Sequence, residues 1–186
     1  RYGPGRALVE SVRYNCPGNA NCISGTTSTY QSVNLHRVRI YGGELRVNWD
    51  IAPGWSSAAS VAMAQGSNEE TGQPLNSIEP TRLSASLARS FDTWGIEGRL
   101  RAASQKDRVD DSGGTWFRPG GYAVGDVSLW WKTSRKSHIT LAVNNLFDKK
   151  YWLWSDIRQA DAPNPVGVDF YSQPGRNVSL AFQLEI

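Results

Sequence analysis

The sequence predicts an all-β chain, an antiparallel meander of about eight strands forming part of a transmembrane barrel wall, and three observations carry the prediction. The first is alternation. Residues 176–186 place Val178, Leu180, Phe182, Leu184 and Ile186 on one face and Asn177, Ser179, Ala181, Gln183 and Glu185 on the other, the period of a strand. The second is the return of this pattern in segments joined alternately by short and long connections, as periplasmic turns and extracellular loops join barrel strands. The third is composition: eighteen Gly, eight Trp and seven Tyr against one Met suit a turn-rich β chain with interfacial aromatics.

In chain order the strands fall near 5–13, 30–51, 55–65, 80–91, 94–106, 121–132, 138–147 and 175–186. Ala52-Pro53-Gly54, Asp92-Thr93 and 133–137 are the short connections; 14–29, 66–79, 107–120 and 148–174 are long and rich in Gly, Pro, Asn, Asp and Ser. In the second strand Leu45, Val47, Trp49 and Ile51 oppose Glu44, Arg46, Asn48 and Asp50. Val38 and Ile40 have the other parity, and a bulge at Gly42-Gly43 would realign them. In the fourth, Arg89 falls on the apolar parity, where it requires an interfacial position. The fifth opposes Trp94, Ile96 and Leu100 to Glu97, Arg99 and Arg101, and the seventh opposes Ile139, Leu141 and Val143 to Thr140, Ala142 and Asn144. Charges this dense are costly in a closed core and ordinary beside lumenal water. Trp49, Trp55, Phe91, Trp94 and Trp131 lie near short turns, and Tyr30, Trp116, Phe117, Tyr122, Tyr151, Trp152 and Trp154 near long loops, so two aromatic girdles are expected.

Mean hydropathy is −0.46, and no run approaches the ~18 apolar residues of a membrane helix. A barrel gives the same average, because half of each strand faces a polar lumen. The net charge of +3 is too small for a concentrated basic stripe, so no nucleic-acid partner is expected. Cys16 and Cys22 flank a short loop turned by Pro17 and Gly18; they are expected to pair as a disulfide in an oxidising compartment, the alternative being two free thiols. Arg1-Tyr2-Gly3 opens no signal peptide, which points to a fragment of a longer chain.

Several motifs carry a family resemblance. Tyr41-Gly42-Gly43-Glu44-Leu45 after Asn34-Leu35, the loop Pro74-Leu75-Asn76-Ser77-Ile78-Glu79-Pro80, the run Asn144-Asn145-Leu146-Phe147-Asp148-Lys149-Lys150-Tyr151-Trp152, and Gln173-Pro174-Gly175-Arg176-Asn177 together resemble TonB-dependent outer-membrane receptors. The last two most resemble the haem, haemoglobin and transferrin branch. The resemblance covers about residues 30–186. It implies that 1–186 is the C-terminal segment of a 22-stranded barrel in the bacterial outer membrane, without plug or N-terminal barrel strands. It further implies haem as a transported ligand, with no covalently bound cofactor. The implied partners are haem or a haem-bearing host protein at the extracellular loops, TonB through the missing plug, and outer-membrane lipid. Ile186 departs from the family's terminal Phe or Trp.

The candidate ligand contacts lie in two long loops. Trp116, Phe117 and Arg118 combine exposed aromatics with a guanidinium, the chemistry of binding hot spots, or else anchor the barrel at the interface. Trp152, Trp154, Arg158 and Tyr171 lie in the longest loop. His36 and His138 accompany no nucleophile pattern, and no enzyme activity is expected. Asp110-Asp111 reads as a solvated turn, and no metal site is expected. Two other architectures stay open: a complete eight-stranded outer-membrane barrel with a structural or adhesive role, and a soluble β-sandwich with its apolar faces packed together.

Overall fold

The computed structural model describes residues 8–184. Nine strands and two short helices follow one another: β1 (Leu8–Asn15), β2 (Ser28–Leu35), β3 (Val38–Ala52), β4 (Trp55–Asn68), β5 (Arg82–Ser90), β6 (Trp94–Ala103), β7 (Tyr122–Ser134), β8 (Ser137–Asn144), α1 (Trp154–Ile157), α2 (Pro165–Asp169) and β9 (Asn177–Leu184). The family-atypical Ile186 and the beginning of the 5–13 strand lie outside the described residues.

β3 to β9 form a seven-stranded sheet in which each strand pairs antiparallel with its sequence neighbours. Its register puts the expected residues on common faces. Leu45 opposes Val61, Val61 opposes Leu83, Leu100 opposes Gly125, Leu129 opposes Leu141, and Leu141 opposes Leu180. On the other face Arg46 opposes Ser60, Ser84 opposes Arg101, and Arg99 opposes Asp126. The apolar face carries no second layer: Leu45 is 62% exposed, Leu141 42% and Leu180 73%. Packing of this face against another sheet, as a sandwich requires, is absent among the described residues. The polar face is laced by ion pairs, Arg46–Glu44 at 2.8 Å, Arg99–Glu97 at 2.9 Å and Arg101–Asp126 at 2.9 Å.

Two expectations and one alternative reading are corrected. The 30–51 strand divides at His36-Arg37, and its first part, β2, pairs with β1 in a separate two-stranded sheet rather than joining one continuous meander. The cause lies in β4. Val38 pairs with Asn68, where β4 ends in a turn closed by Gly72 N–H to the Asn68 carbonyl (2.9 Å) and Asn68 N–H to the Gln73 carbonyl (2.9 Å). Past Asn68 only Glu69 follows the ladder, its N–H donating to the Arg37 carbonyl (2.9 Å), and the residues before His36 find their partner in β1 instead. Second, Gly42 and Gly43 pair with Ala64 and Met63 in unbroken register, without a bulge. Val38 and Ile40 therefore lie on the polar face, where the 74–79 loop covers their end of the sheet. A Cβ at Gly66, which opposes Ile40, would meet Ile78 at 2.8 Å and Leu75 at 2.9 Å. Third, β3 and β9 are the ends of the sheet and do not pair with each other among the described residues, so these strands are an open sheet and not a closed eight-stranded barrel.

The turn-side girdle is observed. Trp49, Trp55, Trp94 and Trp131 stand on the apolar face at 40–65% exposure, and Phe91 stacks on Trp94 with centroids 4.2 Å apart. The loop-side girdle is composed differently from expectation. Trp116, Tyr151 and Trp154 are buried among loops, and Tyr122 shares the polar face with Arg101, while Tyr41 (59% exposed) and Phe147 (77%) stay exposed at the loop end. Tyr41 and Trp49 share the apolar face of β3 eight residues apart. That is about 26 Å of strand, or ~20 Å after a ~40° tilt, near the height of a barrel's apolar band.

Candidate functional site

The buried side chains lie chiefly at the long-loop end, in a cap built from the β1–β2 hairpin and the three long loops. Leu75, Val109, Trp116, Tyr151, Trp154, Ile157 and Val168 are each under 9% exposed. Loops hold a packed shape only if their backbone groups find partners, and here buried polar side chains provide them. Asn76 donates from Nδ2 to the Asp110 carbonyl (3.0 Å) and accepts the Asp110 N–H on Oδ1 (2.8 Å), joining the 66–81 and 104–121 loops. Trp154 Nε1 donates to the Asn76 carbonyl (2.7 Å), and Trp116 Nε1 to the Asp110 carbonyl (3.1 Å). Phe117 N–H donates to the Ala160 carbonyl (2.8 Å), and Ala162 N–H to the Thr115 carbonyl (3.1 Å).

The hairpin is fastened to this cap. Gln159 accepts the Arg13 N–H and donates to the Ser11 carbonyl (2.6 Å), while Asn15 N–H donates to the Gly113 carbonyl (3.0 Å). These bonds saturate part of the β1 edge that would otherwise be an open template. Glu10 accepts the Ser77 N–H at 2.9 Å from the hairpin side. The hairpin tip carries the expected disulfide, Cys16–Cys22, with Cα atoms 5.8 Å apart.

Lys106 is a buried cation of the cap. Only 5% exposed, its ammonium donates to the Ile78 carbonyl (2.6 Å) and lies 5.0 Å from the Trp154 ring centroid. Burial pulls its pKa down to about 8, against partial support from Glu79.

Beneath the cap, a cleft of about 400 Å³ opens onto the polar face of the sheet. Its floor includes Glu44, Arg82, Ser84 and Arg101; its roof includes Trp152, Trp154, Pro119 and Ser155. A space with aromatic roof and charged floor suits a ligand that is partly apolar and partly ionic.

The sequence-predicted residues divide accordingly. Trp116 (3% exposed) and Trp154 (2%) are cap core, and with Val109 they form one apolar cluster rather than an exposed aromatic surface. Phe117 and Trp152 are half-buried and meet edge-to-face, centroids 5.4 Å apart, with Trp152 Nε1 donating to the Val168 carbonyl at 2.9 Å. Arg118 is exposed, paired with Asp111 and donating to the Asp107 carbonyl at 3.2 Å. Arg158 and Tyr171 are exposed in the longest loop, beside Phe170 at 83% exposure. His36 sits exposed in the bend between β2 and β3, and His138 opposes Lys132 near the β7–β8 turn. Asn76, Lys106 and Gln159 escape sequence reasoning, because amides and amines in Gly- and Pro-rich loops read as solvated.

This arrangement, an antiparallel sheet with an exposed apolar face, short turns at one end and a packed loop cap at the other, has close counterparts. Residues 10–146 match the family described as TonB dependent receptor-like, beta-barrel. The chain belongs to the TonB-dependent receptor β-barrel family. This is a family of outer-membrane receptors and transporters. Among its curated relatives, the hemoglobin and hemoglobin-haptoglobin-binding protein B of Haemophilus influenzae is 35% identical over 86 residues, 41% of this chain. The pesticin receptor of Yersinia enterocolitica is 25% identical over 87% of the chain, and the hemoglobin-haptoglobin utilization protein B of Neisseria meningitidis 22% over 94%. The chain spans 8% of the length of the first and 26% of each of the other two. Among solved structures, the copper transporter OprC superposes with a TM-score of 0.75 at 24% identity over 87% of this chain and 25% of its own. A ferric enterobactin receptor of Pseudomonas aeruginosa gives 0.67 at 21% identity over 96% and 27%. These superpositions speak to the fold.

Proposed function

We propose that this chain is the C-terminal part of the barrel of a receptor that imports haem, or iron taken from haem-bearing host proteins, with energy relayed by TonB through a plug domain. The observation that supports it most is the higher identity to the haemoglobin-binding relative, joined to a cap that presents aromatics and guanidinium groups outward. In this reading the cap is the ligand-facing end. Phe170, Tyr171, Arg158 and Arg118 present the exposed surface, Phe117 and Trp152 edge it, and Trp116 and Trp154 hold the loops in shape. Haem is the cargo, and no residue of the chain performs covalent chemistry on it.

The test is binding of haem and haemoglobin to cells expressing the receptor, normalised to surface amount. Replacing Phe170, Tyr171 and Arg118 with Ala is expected to weaken binding by about 1–4 kcal/mol if they are hot spots. Wild-type cells that bind a siderophore and neither haem nor haemoglobin would refute the substrate assignment. A second reading, a receptor for a non-haem ligand, is favoured by the pesticin receptor, 25% identical over 87% of the chain against 22% over 94% for the hemoglobin-haptoglobin utilization protein B, and the same assay separates the two.

A further inference from the structure

We infer that Arg89, at the turn end of the apolar face, is the centre of a binding site for the phosphate of an anionic phospholipid in the inner leaflet of the outer membrane. Arg89 opposes Trp55 on one side and Ile96 on the other, both on the apolar face. The other strand residue that places a charge on this face, Arg39 at the loop end, is neutralised by Glu69 at 2.8 Å. No ion pair among the described residues includes Arg89. A cation kept on a lipid-facing surface without a carboxylate calls for an anion from outside the chain.

The setting pre-organises the guanidinium for that role. It lies 5.2 Å from the Trp55 ring centroid and 4.9 Å from that of Phe91. One Nη1 proton is given to the Pro53 carbonyl at 2.6 Å. The turn closes against it: Ser90 N–H donates to the Gly54 carbonyl (2.8 Å), and a Cβ at Gly54, whose φ is +74°, would come within 3.2 Å of Arg89 Nη1. Of the five guanidinium N–H groups, the other four are left for a partner, and a phosphodiester accepts them in a two-pronged fork. Trp94, Trp49 and Trp131 set this level as the membrane–water boundary, where headgroup phosphates reside. Leu87, on the same strand face as Arg89 and 46% exposed, begins an apolar track for the acyl chain, continued by Leu83 at 44%. The inference rests on the family's membrane placement and is independent of what the cap binds.

The experiment takes the intact receptor, extracted from outer membranes and delipidated, and measures retention of phosphatidylglycerol and of phosphatidylcholine by native mass spectrometry. Arg89→Gln and Arg46→Gln, the latter on the polar face, are compared with wild type. Wild-type protein should retain phosphatidylglycerol in preference to phosphatidylcholine, and Arg89→Gln should lower that retention about tenfold, the loss of a charge-assisted fork, while Arg46→Gln leaves it unchanged. Soluble glycerol phosphate in millimolar excess should not displace the lipid. Equal wild-type retention of the two lipids overturns the inference without recourse to a variant. Undiminished retention by Arg89→Gln, or displacement by glycerol phosphate, overturns it equally, the latter marking a free-phosphate site.

Discussion

Trp154→Ala should open the cap without unfolding the wall. The indole is 2% exposed, packs with Val109 and Trp116, and donates to the Asn76 carbonyl at 2.7 Å. Truncating a buried Trp to Ala costs about 3–5 kcal/mol through lost burial and the residual cavity. Withdrawing a buried donor adds about 1 kcal/mol, and the Lys106 ammonium loses the ring it faces at 5.0 Å. Together these raise the local opening constant by about a thousandfold or more. Hydrogen exchange measures this directly: amides of 104–121, 145–176 and the β1–β2 hairpin should exchange much faster, those of β5 to β8 at the wild-type rate. Trp154→Phe, which keeps most of the volume and loses the donor, should fall between. Wild-type protection of the cap in Trp154→Ala would refute the claim that these loops form one packed unit, and equal loosening of β5 to β8 would refute its independence from the wall.

Other outcomes follow from the same geometry. Leu141→Arg, on the apolar face, should destabilise the folded barrel by about 2–4 kcal/mol, whereas Ser128→Arg on the polar face, opposite Glu97, should be nearly neutral; heat-modifiable gel mobility and folding yield in lipid vesicles measure both. Replacing Cys16 and Cys22 with Ser should loosen the hairpin tip by about 2 kcal/mol, and intact protein should take up alkylating reagent only after reduction. Lys106, held near pKa 8 by burial against an ordinary 10.5, binds fewer protons in the folded cap than in the open one throughout that interval. Cap stability should therefore rise with pH from about 8 to about 10.5, by on the order of 3 kcal/mol relative to Lys106→Met, and be level below pH 8. Hydrogen exchange corrected for intrinsic pH dependence would show it, and a falling difference would reverse the sign of the argument.

The wall was legible in the sequence because its determinants are local: period-two alternation fixes which residues share a face, and Leu100, Arg101 and their neighbours stand as that parity requires. Arg89 was legible too, since one charge on the apolar parity needed the interfacial position it has. Val38 and Ile40 misled because their cover is remote. Nothing near them announces that the 74–79 loop folds onto the polar face, and a bulge was the cheapest local repair. The division of the second strand was hidden for a similar reason, since it depends on where β4 ends at Asn68. In the cap, Trp116 and Trp154 were found as important and misplaced as exposed, because a loop tryptophan reads alike whether it meets a ligand or the next loop. Lys106 and Gln159 carry no sequence signal, and Asn76, though inside the 74–80 loop motif, carries none for its bonding role, since each acts on a carbonyl or N–H of another segment.

The central claim, that one face of this sheet meets lipid and the other a polar interior, is tested most directly by spin labels at successive positions 96 to 101 of the intact receptor in bilayers, with collision rates measured for oxygen and for a water-soluble nickel complex. Labels at Ile96, Gly98 and Leu100 should collide with oxygen and evade nickel, and those at Glu97, Arg99 and Arg101 should show lower oxygen accessibility, giving a period of two in phase with the registry of β6. An oxygen profile without that period, or one with its maxima at 97, 99 and 101, would contradict the account.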